Sequence, residues 1–163
     1  MQNFYLFKTP ISSQIRLYSS KPSNLDFNPE TELNPVALLT LTQLADKNYI
    51  ISQRNILQNK SGIYYFINTV NNKQYIGSAK DFFVRLNEHL NNKKSNINLQ
   101  KAFVKYGLDK FHFVIYEYFT YGSKVLSNKG LTDLETRYIK FFDITELYNI
   151  KTEAVSLIGY KHT

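Results

Sequence analysis

The sequence predicts an α+β domain: a small three-stranded antiparallel sheet flanked by helices. Three observations predict it. Residues 63–70 are β-branched and aromatic, and are followed by turn chemistry and a second short strand-like stretch. Residues 111–119 set Phe111, Phe113 and Ile115 against His112, Val114 and Tyr116, the alternation of a strand. Three further segments, 80–90, 96–106 and 131–142, repeat their apolar residues at helical spacing. The predicted order is β-hairpin, two helices, strand, helix, with the helices covering the sheet.

Taken from the N-terminus, residues 1–25 carry Lys8, Arg16 and Lys21 and no acid before Asp26, with a serine bias. That is the composition of an organellar presequence, or of basic sequence translated upstream of the functional part. Residues 26–35, with Pro29 and Pro35, read as a linker, so 1–35 are expected to form a flexible basic leader and linker. Residues 36–61 are expected to be an N-terminal helical extension. Val36 to Asp46 is apolar at helical spacing although Thr-rich, and Ile50, Ile51, Arg54 and Leu57 repeat the spacing over 49–58.

The main folded unit is expected over 62–152. Ile63 to Val70 forms the first strand, Asn71-Asn72-Lys73 the turn and Gln74 to Gly77 the second strand. Asp81 is the expected cap of the next helix, whose stripe is Phe82, Phe83, Leu86 and Leu90. Leu99, Ala102, Phe103 and Tyr106 line the following helix, and Gly107 closes it. The last helix, opened by Gly130-Leu131-Thr132, buries Leu134, Tyr138, Ile139 and Phe142, and Thr132 with Glu135 has capping-box spacing. Leu147 to Ile150 is a short extended piece, and 153–163 read as the start of a further linker.

Composition bounds the function. The chain has 163 residues, one domain's worth, with 20 Lys and Arg against 13 Asp and Glu. A net charge of +7 favours a polyanionic partner, without choosing among DNA, RNA and an anionic membrane. Cysteine is absent, which removes disulfides, thiolate zinc sites and cysteine nucleophiles. No apolar run approaches the roughly 20 residues a bilayer span needs, and no membrane partner is expected.

Four local features converge on one chemistry. Gly62-Ile63-Tyr64 and Tyr75-Ile76-Gly77 face each other across the hairpin, which brings the two tyrosines to one face. Glycines at the outer ends admit a close backbone or ligand. Ser78 and Ala79 lead into a helix N-terminus able to receive an anion. Arg85 and His89, at i and i+4, share a helix face, and a guanidinium there suits a phosphate. Glu135 on the last helix and Asn149 in the closing extended piece complete the set, although Glu135 also reads as a cap and Asn149 as a strand terminator.

These residues resemble the GIY-YIG nuclease family. The resemblance runs from Gly62-Ile63-Tyr64 through Tyr75-Ile76-Gly77-Ser78-Ala79, Arg85 and His89. It continues through Ser95 to Phe103, Lys105-Tyr106-Gly107, Leu134 to Ile139 and Tyr148-Asn149-Ile150. The extended pattern is most similar to homing endonucleases encoded in organellar group I introns. What the resemblance implies is a metal-dependent endonuclease acting on double-stranded DNA as a monomer, with mitochondrial location by organelle encoding rather than import, and no small-molecule cofactor. Tyr64 is implied as general base or water-orienting group, and Arg85 as stabiliser of the pentavalent phosphorus. Glu135 is the implied ligand of one Mg²⁺, with Mn²⁺ as substitute. Tyr75 and His89 are implied to position water and phosphate, Asn149 to support the site, and Gly77 to allow the turn that presents the helix.

Candidate DNA contacts are Gly77, Ser78, Lys80, Lys93, Lys94, Lys101 and Lys105. Lys94 stands where some members carry a different polar residue or His. Relatives with homing function continue into a DNA-binding region, so 153–163 are expected to be a truncated linker. That expectation leaves a second reading: a catalytically decayed remnant that binds DNA without cutting it.

Overall fold

The computed structural model describes residues 35–122 and 124–150, and the elements below belong to the unit that begins at Ala37. The expectations for residues 1–34 and 153–163 lie outside the described residues. The elements are β1 (Leu39–Leu41), α1 (Lys47–Ser52), α2 (Arg54–Leu57), β2 (Ser61–Asn68), β3 (Gln74–Ala79), α3 (Phe82–Leu90), α4 (Ile97–Tyr106), β4 (Phe111–Phe119) and α5 (Lys124–Phe141). Single 3₁₀ turns occupy Leu108–Lys110 and Ile144–Glu146. The strands form one antiparallel sheet in the order β1-β4-β2-β3.

The α+β class, the hairpin and the helix order are as the sequence predicts; the sheet gains a fourth strand. Leu39-Thr40-Leu41 lies in the stretch read as helical, yet it pairs with Ile115, Val114 and Phe113 on β4. Three residues are too few to show a period, so the outcome is decided by β4 offering an open edge and by Leu41 reaching the core. The helix expected over 49–58 is two short ones. Asp46 caps the first by accepting from the Asn48 and Tyr49 amides, and the chain breaks at Gln53. Leu41, Leu44, Ile50 and Leu57 join the same apolar cluster as the residues after 62.

β2 sits between β3 and β4, and all eight of its residues are buried. Strand alternation divides them between two faces. Tyr64 and Phe66 face a core made with Phe82 and Leu86 of α3, Leu99 and Phe103 of α4, and Phe111 and Phe113 of β4. Tyr65 faces the other way, onto Tyr116, Tyr138 and Phe142. A bulge on β4 lets the register shift between Ile63 and Tyr64. Beside it Gly62 has φ +153°, and an added Cβ would lie 1.8 Å from the Glu117 carbonyl oxygen. Glycine is required there because two backbones touch.

The last helix begins at Lys124, ahead of the predicted 131, and runs through Gly130, where an added Cβ would meet the Phe119 ring at 3.1 Å. The capping box does not form. Thr132 is inside the helix and its hydroxyl donates to the Asn128 carbonyl. That leaves the Glu135 side chain available elsewhere. The closing segment lies along β3: Leu147 bridges Gln74 in parallel, and the Tyr148 amide donates to the Gln74 carbonyl at 2.7 Å. Among the described residues no helix is long and apolar enough to cross a membrane.

Candidate active site

β2 and β3 deliver the two tyrosines. Tyr64 lies opposite Gly77, and Tyr75 lies opposite Phe66, so both side chains leave the same face. Their ring centroids are 6.3 Å apart. Gly77 is expected to shape a turn, but it sits within β3, buried beneath the Tyr64 phenol. A Cβ there would stand 2.4 Å from Tyr64 Oη. Its task is therefore to leave room for that ring, and it is not presented to a DNA surface.

α3 brings the cation and the imidazole. The i, i+4 spacing of Arg85 and His89 aims both at one atom. Arg85 Nε donates to Tyr64 Oη at 3.2 Å, and His89 Nε2 lies 2.6 Å from the same oxygen. Arg85 Nη1 also donates to Glu88 at 2.8 Å and to the Lys94 carbonyl at 3.0 Å. The N-terminus of α3 is not an open anion seat. The Asp81 carboxylate accepts from the Val84 and Asn59 amides, and the Phe82 amide donates to the Lys60 carbonyl. A phosphate would meet Arg85 and not the helix end.

Burial sets the electrostatics. Tyr64 is 0% exposed, and desolvation, reinforced by Tyr75, pushes its phenol well above the usual value, with Arg85 pulling the other way. Tyr75, 9% exposed, is raised for the same first reason and by Glu135. His89 is 0% exposed, and burial followed by the Arg85 charge pulls it down to about 3, so it is neutral at pH 7. The Tyr64 phenol is thus protonated at rest, and it rests on one cation and one neutral imidazole.

Glu135 approaches from α5 at the outer edge of β3. It accepts from the Ser78 hydroxyl and from the Ser78 backbone amide. Burial raises its carboxyl above the ordinary range, while the Ser78 bonds and Arg85 oppose the rise. Among the described residues no cluster of three or more His, Cys, Asp or Glu exists. A lone carboxylate with oxygen neighbours suits Mg²⁺, which keeps several waters and takes its remaining ligands from substrate phosphate. It does not suit zinc, which needs three or four protein ligands. The residues present fit a hard divalent ion at Glu135.

The Asn149 side chain hydrogen-bonds to backbone and not to these side chains. Its amide clamps β3 from outside: Nδ2 donates to the Ile76 carbonyl at 2.8 Å and Oδ1 accepts from the Ile76 amide at 2.9 Å. It fixes the strand that carries Tyr75, Gly77 and Ser78. The candidate contact lysines are dispersed. Lys80 lies over the Tyr121 ring, and Lys93 and Lys94 are exposed in the α3–α4 turn. Lys101 and Lys105 line a cavity of about 440 Å³ with Lys73, Asn71, Tyr106 and Tyr148.

Two site residues escape the sequence reading. Ser95 Oγ lies 2.7 Å from His89 Nδ1, and Gln100 Nε2 donates to Ser95 Oγ at 2.6 Å and to the His89 carbonyl at 2.8 Å. Both look like ordinary polar residues at a helix start. The available signal was the run Ser95 to Phe103 within the family pattern, with Ser95 just before the Asn96 cap and Gln100 one turn after it.

Comparison with known proteins gives the following. The family model described as the GIY-YIG catalytic domain matches residues 60–149. A Neurospora crassa protein named "Probable intron-encoded endonuclease 1" is 61% identical over 148 residues, covering 91% of this chain and 48% of that protein. A second from the same organism, "Probable intron-encoded endonuclease bI1", is 34% identical over 139 residues, covering 82% of this chain and 31% of that one. The chain therefore spans about half and about a third of the length of these curated relatives. Among solved structures, the catalytic domain of homing endonuclease I-TevI is 38% identical, with a TM-score of 0.46 over 56% of this chain and 99% of that chain.

Proposed function

The chain belongs to the GIY-YIG family, and from that membership we propose that it is a metal-dependent DNA endonuclease encoded by a mitochondrial group I intron. The observation that carries the reading is the meeting of Arg85 and His89 on the Tyr64 hydroxyl, with Tyr75 on the same face and Glu135 at the strand edge. The printed names of the relatives, intron-encoded endonucleases, support both the activity and the setting.

The chemistry follows from the contacts. Phosphodiester hydrolysis needs an activated water, charge on the non-bridging oxygens and help for the leaving group. Arg85 supplies fixed positive charge for the oxygens. Tyr64 Oη has no solvent-facing surface while Arg85 lies against it, so the attacking water enters as the guanidinium turns from the phenol to the phosphate. Tyr64 then takes the water's proton as its own passes across 2.6 Å to His89 Nε2. Burial first, and then the Arg85 charge, hold His89 neutral, and the incoming phosphate offsets the second of these. Tyr75, whose ring lies on the same face 6.3 Å from that of Tyr64, orients the water. Glu135 would hold Mg²⁺, whose charge when bound polarises the phosphate.

Supercoiled plasmid incubated with the protein and Mg²⁺ should be nicked. Arg85→Ala and Glu135→Ala should each slow nicking by roughly 10²-fold or more. Equal nicking by all three proteins, or none by any, contradicts the reading. Duplex binding without cleavage in Mg²⁺ or Mn²⁺ would instead identify a decayed remnant.

A further inference from the structure

The hydrogen bonds that run inward from the site have a direction. Tyr64 is wholly buried, and a buried phenol donates its hydrogen to an acceptor. Of its polar neighbours, Arg85 Nε is a donor and cannot accept, whereas His89 Nε2 and the Tyr75 hydroxyl can. Of the two, His89 Nε2 makes the short contact, 2.6 Å, which points to it as the acceptor. A neutral imidazole that accepts at Nε2 carries its hydrogen on Nδ1, and Nδ1 lies 2.7 Å from Ser95 Oγ. The next link is fixed as well. The His89 carbonyl only accepts, so Gln100 must turn its amide nitrogen toward it. The same nitrogen donates to Ser95 Oγ, which then accepts from both Gln100 and His89.

We propose that Ser95 and Gln100 are positioning residues that hold His89 as its Nδ1–H tautomer and so keep Nε2 open to the Tyr64 phenol. Neither reaches the reacting atoms; each acts through the imidazole. The α3–α4 turn thereby orients both catalytic groups of α3, since the Lys94 carbonyl holds Arg85 while Ser95 holds His89. The inference rests on the nuclease reading for its purpose but not for its test.

The test is long-range ¹H–¹⁵N correlation on protein labelled at histidine nitrogens, at neutral pH. In the unaltered protein His89 should show hydrogen on Nδ1 and a bare Nε2. Ser95→Ala should give a mixture of tautomers or a switch to Nε2–H, and Ser95→Thr, which keeps the hydroxyl, should restore the original pattern. Hydrogen on Nε2 in the unaltered protein, or no change in Ser95→Ala, overturns the proposal. Should Ser95→Ala fail to fold, Gln100→Met reads the same equilibrium and must loosen it. In plasmid nicking, Ser95→Ala should lower kcat roughly 10- to 100-fold, as loss of an imidazole's orienting partner does elsewhere, with KM for DNA changed less than about threefold. Absence of nicking by the unaltered protein would refute the nuclease reading alone, because the tautomer is measured without turnover.

Discussion

Tyr64 and Tyr65 are neighbours on one strand, equally buried and chemically identical, yet they serve opposite sides of the sheet. The Tyr64 hydroxyl meets Arg85 and His89. The Tyr65 hydroxyl has no hydrogen-bond partner among the described residues, and its ring packs 4.2 Å from that of Tyr116 and edge-on to Tyr138 and Phe142. The pleat alone separates them. The contrast teaches that burial does not mark a candidate catalytic phenol; what marks it is the donors and acceptors its neighbours aim at the oxygen.

The largest expected effect divides the two residues directly. Tyr64→Phe should slow plasmid cleavage roughly 10²- to 10⁴-fold, the range for losing a general acid–base group. Tyr65→Phe should leave cleavage within about twofold and be neutral or stabilising by up to about 1 kcal/mol in urea unfolding, because it removes an unpaired buried hydroxyl. Equal losses of activity in the two variants would erase the distinction. Gly77→Ala comes next. A methyl 2.4 Å from Tyr64 Oη displaces that ring and not Tyr65, so cleavage should fall at least tenfold by the same assay, with about 1–3 kcal/mol of stability lost to overpacking.

Acid sharpens the comparison through His89. Its folded pKa, about 3, lies below the unfolded value near 6.5, so the unfolded chain takes up the proton first. Its contribution is complete above about pH 6.5 and is lost as pH falls toward 3, on the order of 5 kcal/mol in all. His112, pushed down by burial, slopes the same way. His89→Gln should thus flatten part of the pH dependence of unfolding, measured by denaturant titration between pH 7 and 4. The smallest effect is at Glu88, whose pair with Arg85 is partly exposed. Glu88→Gln should shift stability by no more than about 1 kcal/mol in the same titration.

Much of this was legible in the sequence because the relevant signals are local. The hairpin, the Asp81 cap and the i, i+4 placement of Arg85 and His89 follow from short-range rules. β1 was not legible: a three-residue strand exists only because β4 has an edge to fill. The capping box at Thr132 was a false local signal, overridden when the helix extended back to Lys124 and Glu135 turned to Ser78. The role of Gly77 was misread because the atom that excludes a side chain there belongs to a residue thirteen positions away, on the neighbouring strand. Ser95 and Gln100 were given no role for a related reason: Ser95 meets a ring nitrogen of a histidine in another helix, and Gln100 reaches Ser95 and the carbonyl of that histidine.

β3 ends the sheet, and an unpaired strand edge invites another chain to add itself there. Here the outward rungs are already taken. Tyr148 occupies the Gln74 carbonyl, Asn149 both backbone groups of Ile76, and Glu135 the Ser78 amide. Side chains thus stand in for a missing strand. The carboxylate and amide read as candidate site residues are also the groups that an added strand would have to displace from this edge.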